Sequence, residues 1–135
     1  IHSVDSLALA EEIDRQAKAV GLRQRVLREV NLGGEASKGG FEPTTLVAAL
    51  ESLNGLEHLD IRGLMAIPPP TPTAEDARPY FRQLRTLAQT LTARGHRNIN
   101  MQELSMGMSH DYPVAIEEGA TYVRVGTAIF GARGE

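Results

Sequence analysis

Strand-like runs and amphipathic helical stretches alternate along this sequence, and that alternation constrains the fold more than any other feature. Apolar or β-branched runs fall at 1–4, 25–32, 59–67, 103–106 and 121–125. Between them apolar residues recur every three or four positions: Leu9, Ile13, Ala17 and Val20; Leu46, Val47, Leu50 and Leu53; Phe81, Leu84, Ala88 and Leu91. Punctuation agrees with the pattern. Asp5 is placed to cap the first helix and Gly21 to end it. Pro43 suits the first turn of the second helix, which Asn54-Gly55 closes. Pro79 fits only the first turn of the third, so Asp76 is the expected cap there rather than Thr73. Pro68-Pro69-Pro70 stops the third strand, because proline cannot donate to a ladder. Asp111 is read as the cap of a short helix ending at Gly119.

Strand–helix–strand units imply parallel strands joined by right-handed crossovers. A doubly wound sheet and part of a (β/α)-barrel both satisfy the pattern. In either, a ligand belongs at the carboxyl ends of the strands. Those ends hold Asn31, Met65-Ala66, Ser105 to Ser109 and Arg124 to Thr127. The 135 residues suffice for one domain with a core. The first residue is Ile, in a strand already under way, so the chain reads as the continuation of a larger protein.

Composition removes several functions. A net charge of −3 argues against a nucleic-acid partner. The absence of cysteine excludes disulfides and thiolate chemistry. His2, His58, His96 and His110 show no metal-ligand spacing, so no metal site is expected. There is no P-loop and no nucleophile elbow.

Two small-residue turns leave neighbouring strands. Gly126-Thr127 offers free backbone N–H groups and a hydroxyl, which suit a phosphate or simply a capped turn. The run Ser105 to Ser109 contains Gly107, which permits close backbone approach. Arg124 sits within the apolar run Y-V-R-V and faces either solvent or a barrel interior, where it would need a partner. Lys38 lies in the loop E-A-S-K-G-G, a solvated lysine or a mobile cation beside an anion.

The runs L-S-M-G-M-S-H-D (104–111) and A-I-E-E-G-A-T-Y-V-R-V-G-T-A-I-F-G-A-R (115–133) closely resemble the signature of the pyridoxal-phosphate homeostasis proteins. I-R-G-L-M-A-I-P (61–68), V-N-L-G-G-E-A-S-K-G-G-F (30–41) and I-H-S-V-D-S (1–6) match further segments in the same order. The resemblance implies an α/β fold: a partial (β/α)8 TIM barrel like the amino-terminal domain of alanine racemase, with about five parallel strands. It implies a cytoplasmic protein that binds pyridoxal 5′-phosphate without established catalytic turnover, buffering or delivering the cofactor, with cofactor-dependent apoenzymes as partners. Carried over, Ser109, Gly126 and Thr127 would hold the phosphate. Arg124 would face the pyridine nitrogen, Met65 and Asn31 would line the pocket, and Lys38 would lie near its mouth. The family's Schiff-base lysine falls before the stretch matching Ile1, so residues 1–135 read as the carboxy-terminal part of the barrel, without its first strands. Two rivals stand beside this reading. One is an amino-acid racemase, which would use a second domain bearing a catalytic tyrosine. The other is a purely structural or regulatory piece that binds another protein, or a second copy of itself, through unpaired barrel edges.

Overall fold

The computed structural model describes residues 1–33 and 40–134. The elements run α1 (Leu7–Ala19), β1 (Gln24–Glu29), α2 (Pro43–Asn54), β2 (Leu59–Met65), a 3-10 turn (Glu75–Ala77), α3 (Arg78–Ala93), β3 (Ile99–Met108), α4 (Tyr112–Glu117), β4 (Tyr122–Arg124) and α5 (Thr127–Phe130). The strands form one parallel sheet in the order β1-β2-β3-β4. Strand order therefore follows chain order, as in an arc of barrel; a doubly wound sheet would reverse direction partway.

The expected first strand is reduced to one bridge, Val4 with Arg28, supported by Leu27 N–H to Ile1 carbonyl (2.8 Å) and Glu29 N–H to Val4 carbonyl (3.0 Å). Ile1 to Val4 thus lies parallel to β1 as a fifth ribbon. β3 is longer than the expected 103–106. Its amino-terminal half alternates buried Ile99 and Met101 with exposed Asn100 and Gln102, a half-buried pattern that a search for apolar runs passes over.

Three caps differ from expectation. Ser6, not Asp5, caps α1: its Oγ accepts from Leu9 N–H at 3.1 Å, the N3 donor of a helix starting at Leu7. Asp76 does not cap α3 directly. It sits in the 3-10 turn and shares a reciprocal pair with Thr73, accepting from Thr73 N–H at 3.2 Å while Thr73 Oγ1 accepts from Asp76 N–H at 3.3 Å. α3 then begins at Arg78 with Pro79 in its first turn. Asp111 stands at the N-cap of α4 without capping it. Its Oδ1 accepts from Met108 N–H at 2.8 Å, closing the turn before the helix.

Register shifts occur between Val26 and Leu27, Ile61 and Gly63, and Ser105 and Met108. Bulges bend a sheet and increase its twist. At the second shift the backbones nearly touch: a Cβ on Gly63 would lie 1.8 Å from the Glu103 carbonyl oxygen. The resulting curl is measurable. His2 lies beyond β1, three strand spacings from β3, or roughly 14 Å in a flat sheet. Its Nδ1 is nevertheless 3.0 Å from Ser105 Oγ, and its ring meets Tyr122 edge-on at 4.8 Å. The sheet is therefore folded into a half-barrel with an inner face. The main core joins Val26, Val30, Ile61, Leu64, Leu104 and Met106 to helical Leu46, Leu50, Leu53, Phe81, Leu84 and Leu91.

Candidate cofactor site

Residues paired across parallel strands point the same way. Glu29 pairs with Met65, Met65 with Ser105, and Ser105 with Tyr122. The contact of His2 with Ser105 and Tyr122 marks this row as the inner face. Met65 is buried in it, and Asn31 follows two residues after Glu29, just past the end of β1. Asn31 N–H donates to the Phe41 carbonyl at 2.8 Å, which fixes that corner. Below the row, Arg25, Arg62 and Glu103 line a cleft of about 230 Å³ with His2 and Tyr122.

Arg124 ends β4 and turns back across the row. Its Nη2 donates to the carbonyls of Ala66 (3.0 Å) and Ser105 (3.3 Å), while Nε is buried with no hydrogen-bond partner among the described residues. Burial lowers its pKa, against the opposing pull of Glu29 and Asp111. His2 is also lowered, by burial first, then by the Ile1 amine and Arg124. In the sequence the four histidines are scattered. The missed signal was His2 in a strand-like segment, which puts a side chain on one sheet face.

The two small-residue turns meet at Ser109. Ser109 Oγ accepts from the N–H groups of Gly126 (3.1 Å) and Ala128 (3.0 Å). One hydroxyl thus takes up two of the N–H groups at the amino end of α5. Thr127 is exposed between them, and a Cβ on Gly126 would meet nothing within 4 Å. An open cleft of about 640 Å³ lies over these atoms, lined by Met108, Ser109, His110, Gly126, Thr127 and Arg133 among others. Arg133 adds a cation that no motif in the sequence marked. Lys38 lies outside the described residues. No three or more His, Asp or Glu side chains come together as a metal site among the described residues.

The residues fit a phosphorylated pyridine. A dianionic group needs donors, and backbone N–H groups, hydroxyls and Arg133 gather at one end. Across the inner face lies Arg124, with an unused buried N–H. A guanidinium has donors and no acceptor, so it matches an unprotonated ring nitrogen.

A parallel half-barrel with an open cleft at its strand ends is the arrangement of the (β/α)-barrel class, whose ligands sit at the carboxyl ends of the strands. Residues 1–134 match the family described as alanine racemase, N-terminal domain, and the chain belongs to that family. Within it, the chain is 50% identical over 133 residues to the pyridoxal phosphate homeostasis protein of Aquifex aeolicus and 45% identical to that of Pseudomonas aeruginosa. It aligns over 98% of its own length but spans only 58% and 55% of those proteins. The structure of PipY from Synechococcus elongatus, solved with PLP bound, superposes with a TM-score of 0.87 at 44% identity, covering 97% of this chain and 60% of PipY. Alanine racemase of Clostridium difficile shares the fold, at a TM-score of 0.66 and 24% identity.

Proposed function

We propose that this chain is the carboxy-terminal part of a barrel that binds pyridoxal 5′-phosphate and serves cofactor homeostasis in the cytoplasm. Ser109, Gly126 and Thr127 hold the phosphate, and Arg124 donates to the pyridine nitrogen. Met65 and Asn31 line the pocket. These residues contribute non-covalent recognition of the cofactor. The observation that carries the reading is the meeting of Ser109 Oγ with the N–H groups of Gly126 and Ala128. The PLP-bound relative at 44% identity supports it.

Bound pyridoxal phosphate supplies an electron sink toward amino acids, strongest when its ring nitrogen is protonated. Arg124 has no acceptor with which to stabilise that proton. Its charge, already disfavoured by burial, leaves the nitrogen a poor base. We therefore read the protein as a holder of cofactor rather than a racemase, and cofactor-dependent apoenzymes as the recipients. The high identities to homeostasis proteins, against 24% to alanine racemase, favour the same reading.

Equilibrium dialysis of the purified protein against pyridoxal 5′-phosphate tests the site. Thr127→Val keeps shape and removes one hydroxyl. It should weaken binding by about 1–3 kcal/mol, the range for a hydrogen bond to a charged group. Unchanged affinity would remove Thr127 from the site. Solvent deuterium exchange at Cα of alanine tests catalysis. Exchange on the timescale of enzyme turnover would overturn the holder reading.

A further inference from the structure

Glu118 is 4% exposed and lies outside the cofactor face, at the carboxyl end of α4. A carboxylate there is opposed by the helix dipole, which favours cations at that end. Three arginines answer it. Arg78 Nη1 donates to Glu118 at 2.7 Å and Arg82 Nε at 3.0 Å; Arg85 Nη1 lies 3.4 Å from the carboxylate and also donates to the Glu118 carbonyl at 3.2 Å. Positions 78, 82 and 85 follow the helical repeat, so all three arginines come from one face of α3. Arg78 also reaches Glu117 at 2.9 Å and pairs with Glu75.

This cluster grips the one helix that joins the two halves of the candidate phosphate site. Ser109 lies just before α4, and Gly126 follows it through β4. On its inner side α4 rests against Gly107, where an added Cβ would lie only 2.6 Å from that of Ala115. The helix is held between the arginines outside and the β3 backbone inside. We propose that Glu118 is a positioning residue for phosphate recognition: its clasp by Arg78, Arg82 and Arg85 fixes α4, and α4 fixes Ser109 Oγ against the N–H groups of Gly126 and Ala128. The inference rests on the cofactor reading above. It adds a remote element that tunes the phosphate end alone.

The test compares two ligands that differ only at that end, pyridoxal 5′-phosphate and unphosphorylated pyridoxal, by dialysis against wild type and Glu118→Gln. Glutamine keeps the size and removes the charge. The phosphorylated ligand should bind about tenfold more weakly, as when one charge-assisted bond is lost. Pyridoxal affinity should stay within about twofold, an outcome that general unfolding would not give. Equal losses for both ligands, or none, would overturn the clasp. Failure of the wild type to bind pyridoxal phosphate would instead overturn the cofactor reading. Should Glu118→Gln not fold, Arg85→Gln removes one donor from a half-exposed side chain and should show the same selective loss at about threefold. An unselective result there also overturns the proposal.

Discussion

Replacing Gly107 with alanine adds one methyl group near the end of β3, where the chain approaches the Ser109 turn. Two costs arise, and the structure separates them. The first is conformational: Gly107 has φ +100°, where an L side chain costs about 1–2 kcal/mol. The second is steric: the new Cβ would lie 2.6 Å from Ala115 Cβ, 3.2 Å from Tyr112 Cα and 3.4 Å from Val123 Cγ1. Relieving that overlap means moving α4 or β3, and overpacking of this kind costs about 1–3 kcal/mol. Gly21 supplies the control. It has φ +71° and nothing within 4 Å of an added Cβ, so Gly21→Ala incurs the conformational cost alone. The loss of unfolded-chain entropy is common to both and cancels in the difference. Gly107→Ala should therefore be less stable than Gly21→Ala by about 1–3 kcal/mol. At ~4 °C per kcal/mol for a chain of this size, the gap in Tm is roughly 4–12 °C. Thermal and urea denaturation followed by circular dichroism measure it. Because α4 or β3, which flank the Ser109 turn, must move, Gly107→Ala should also weaken pyridoxal phosphate binding, whereas Gly21→Ala should not. Equal melting temperatures for the two variants would refute the packing of α4 on the β3 backbone.

Arg28 is fully buried, its guanidinium nitrogens have no hydrogen-bond partner among the described residues, and it lies over the Phe41 ring at 4.0 Å. Burial pushes its pKa down to about 10, so Arg28→Met should stabilise the fold by about 1–2 kcal/mol after loss of the cation–π contact; a drop in the urea midpoint would contradict this. Glu118 and Glu75 are held below the ordinary carboxyl value of 4.5, chiefly by hydrogen bonds from Arg78. A depressed folded pKa contributes stability that is present above the unfolded value and lost as pH falls through the folded one, so the α3–α4 clasp should loosen as the medium is acidified below the ordinary carboxyl value. Denaturation midpoints of wild type and Glu118→Gln should converge as the medium is acidified, and midpoints that stay parallel down to about pH 3 would show that the clasp carries no such linkage.

Much of this protein was written in local patterns. The repeat ending at Gly21, which has positive φ, and the prolines at 43 and 79 placed the helices, because turn and cap chemistry acts over a few residues. The motifs around Ser109 and Gly126-Thr127 marked the candidate phosphate site for the same reason, and tertiary structure brought them into contact. The caps at Asp5, Asp76 and Asp111 were misread by a residue or by a role, since neighbouring polar side chains compete for the same N–H groups. Alternation along each strand sorted residues into two faces. It did not reveal that the sheet curls enough to bring His2 to Ser105 and Tyr122, because that curl depends on shifts of register between strands. The Glu118 clasp was hidden likewise: Arg78, Arg82 and Arg85 read as an ordinary solvated helix face until α4 was packed against it. Local sequence determined the elements and the atoms offered at their ends. Pairing between distant segments decided which of those atoms meet, because a side chain's neighbours across a sheet are set by strand register and bulges that no single segment encodes.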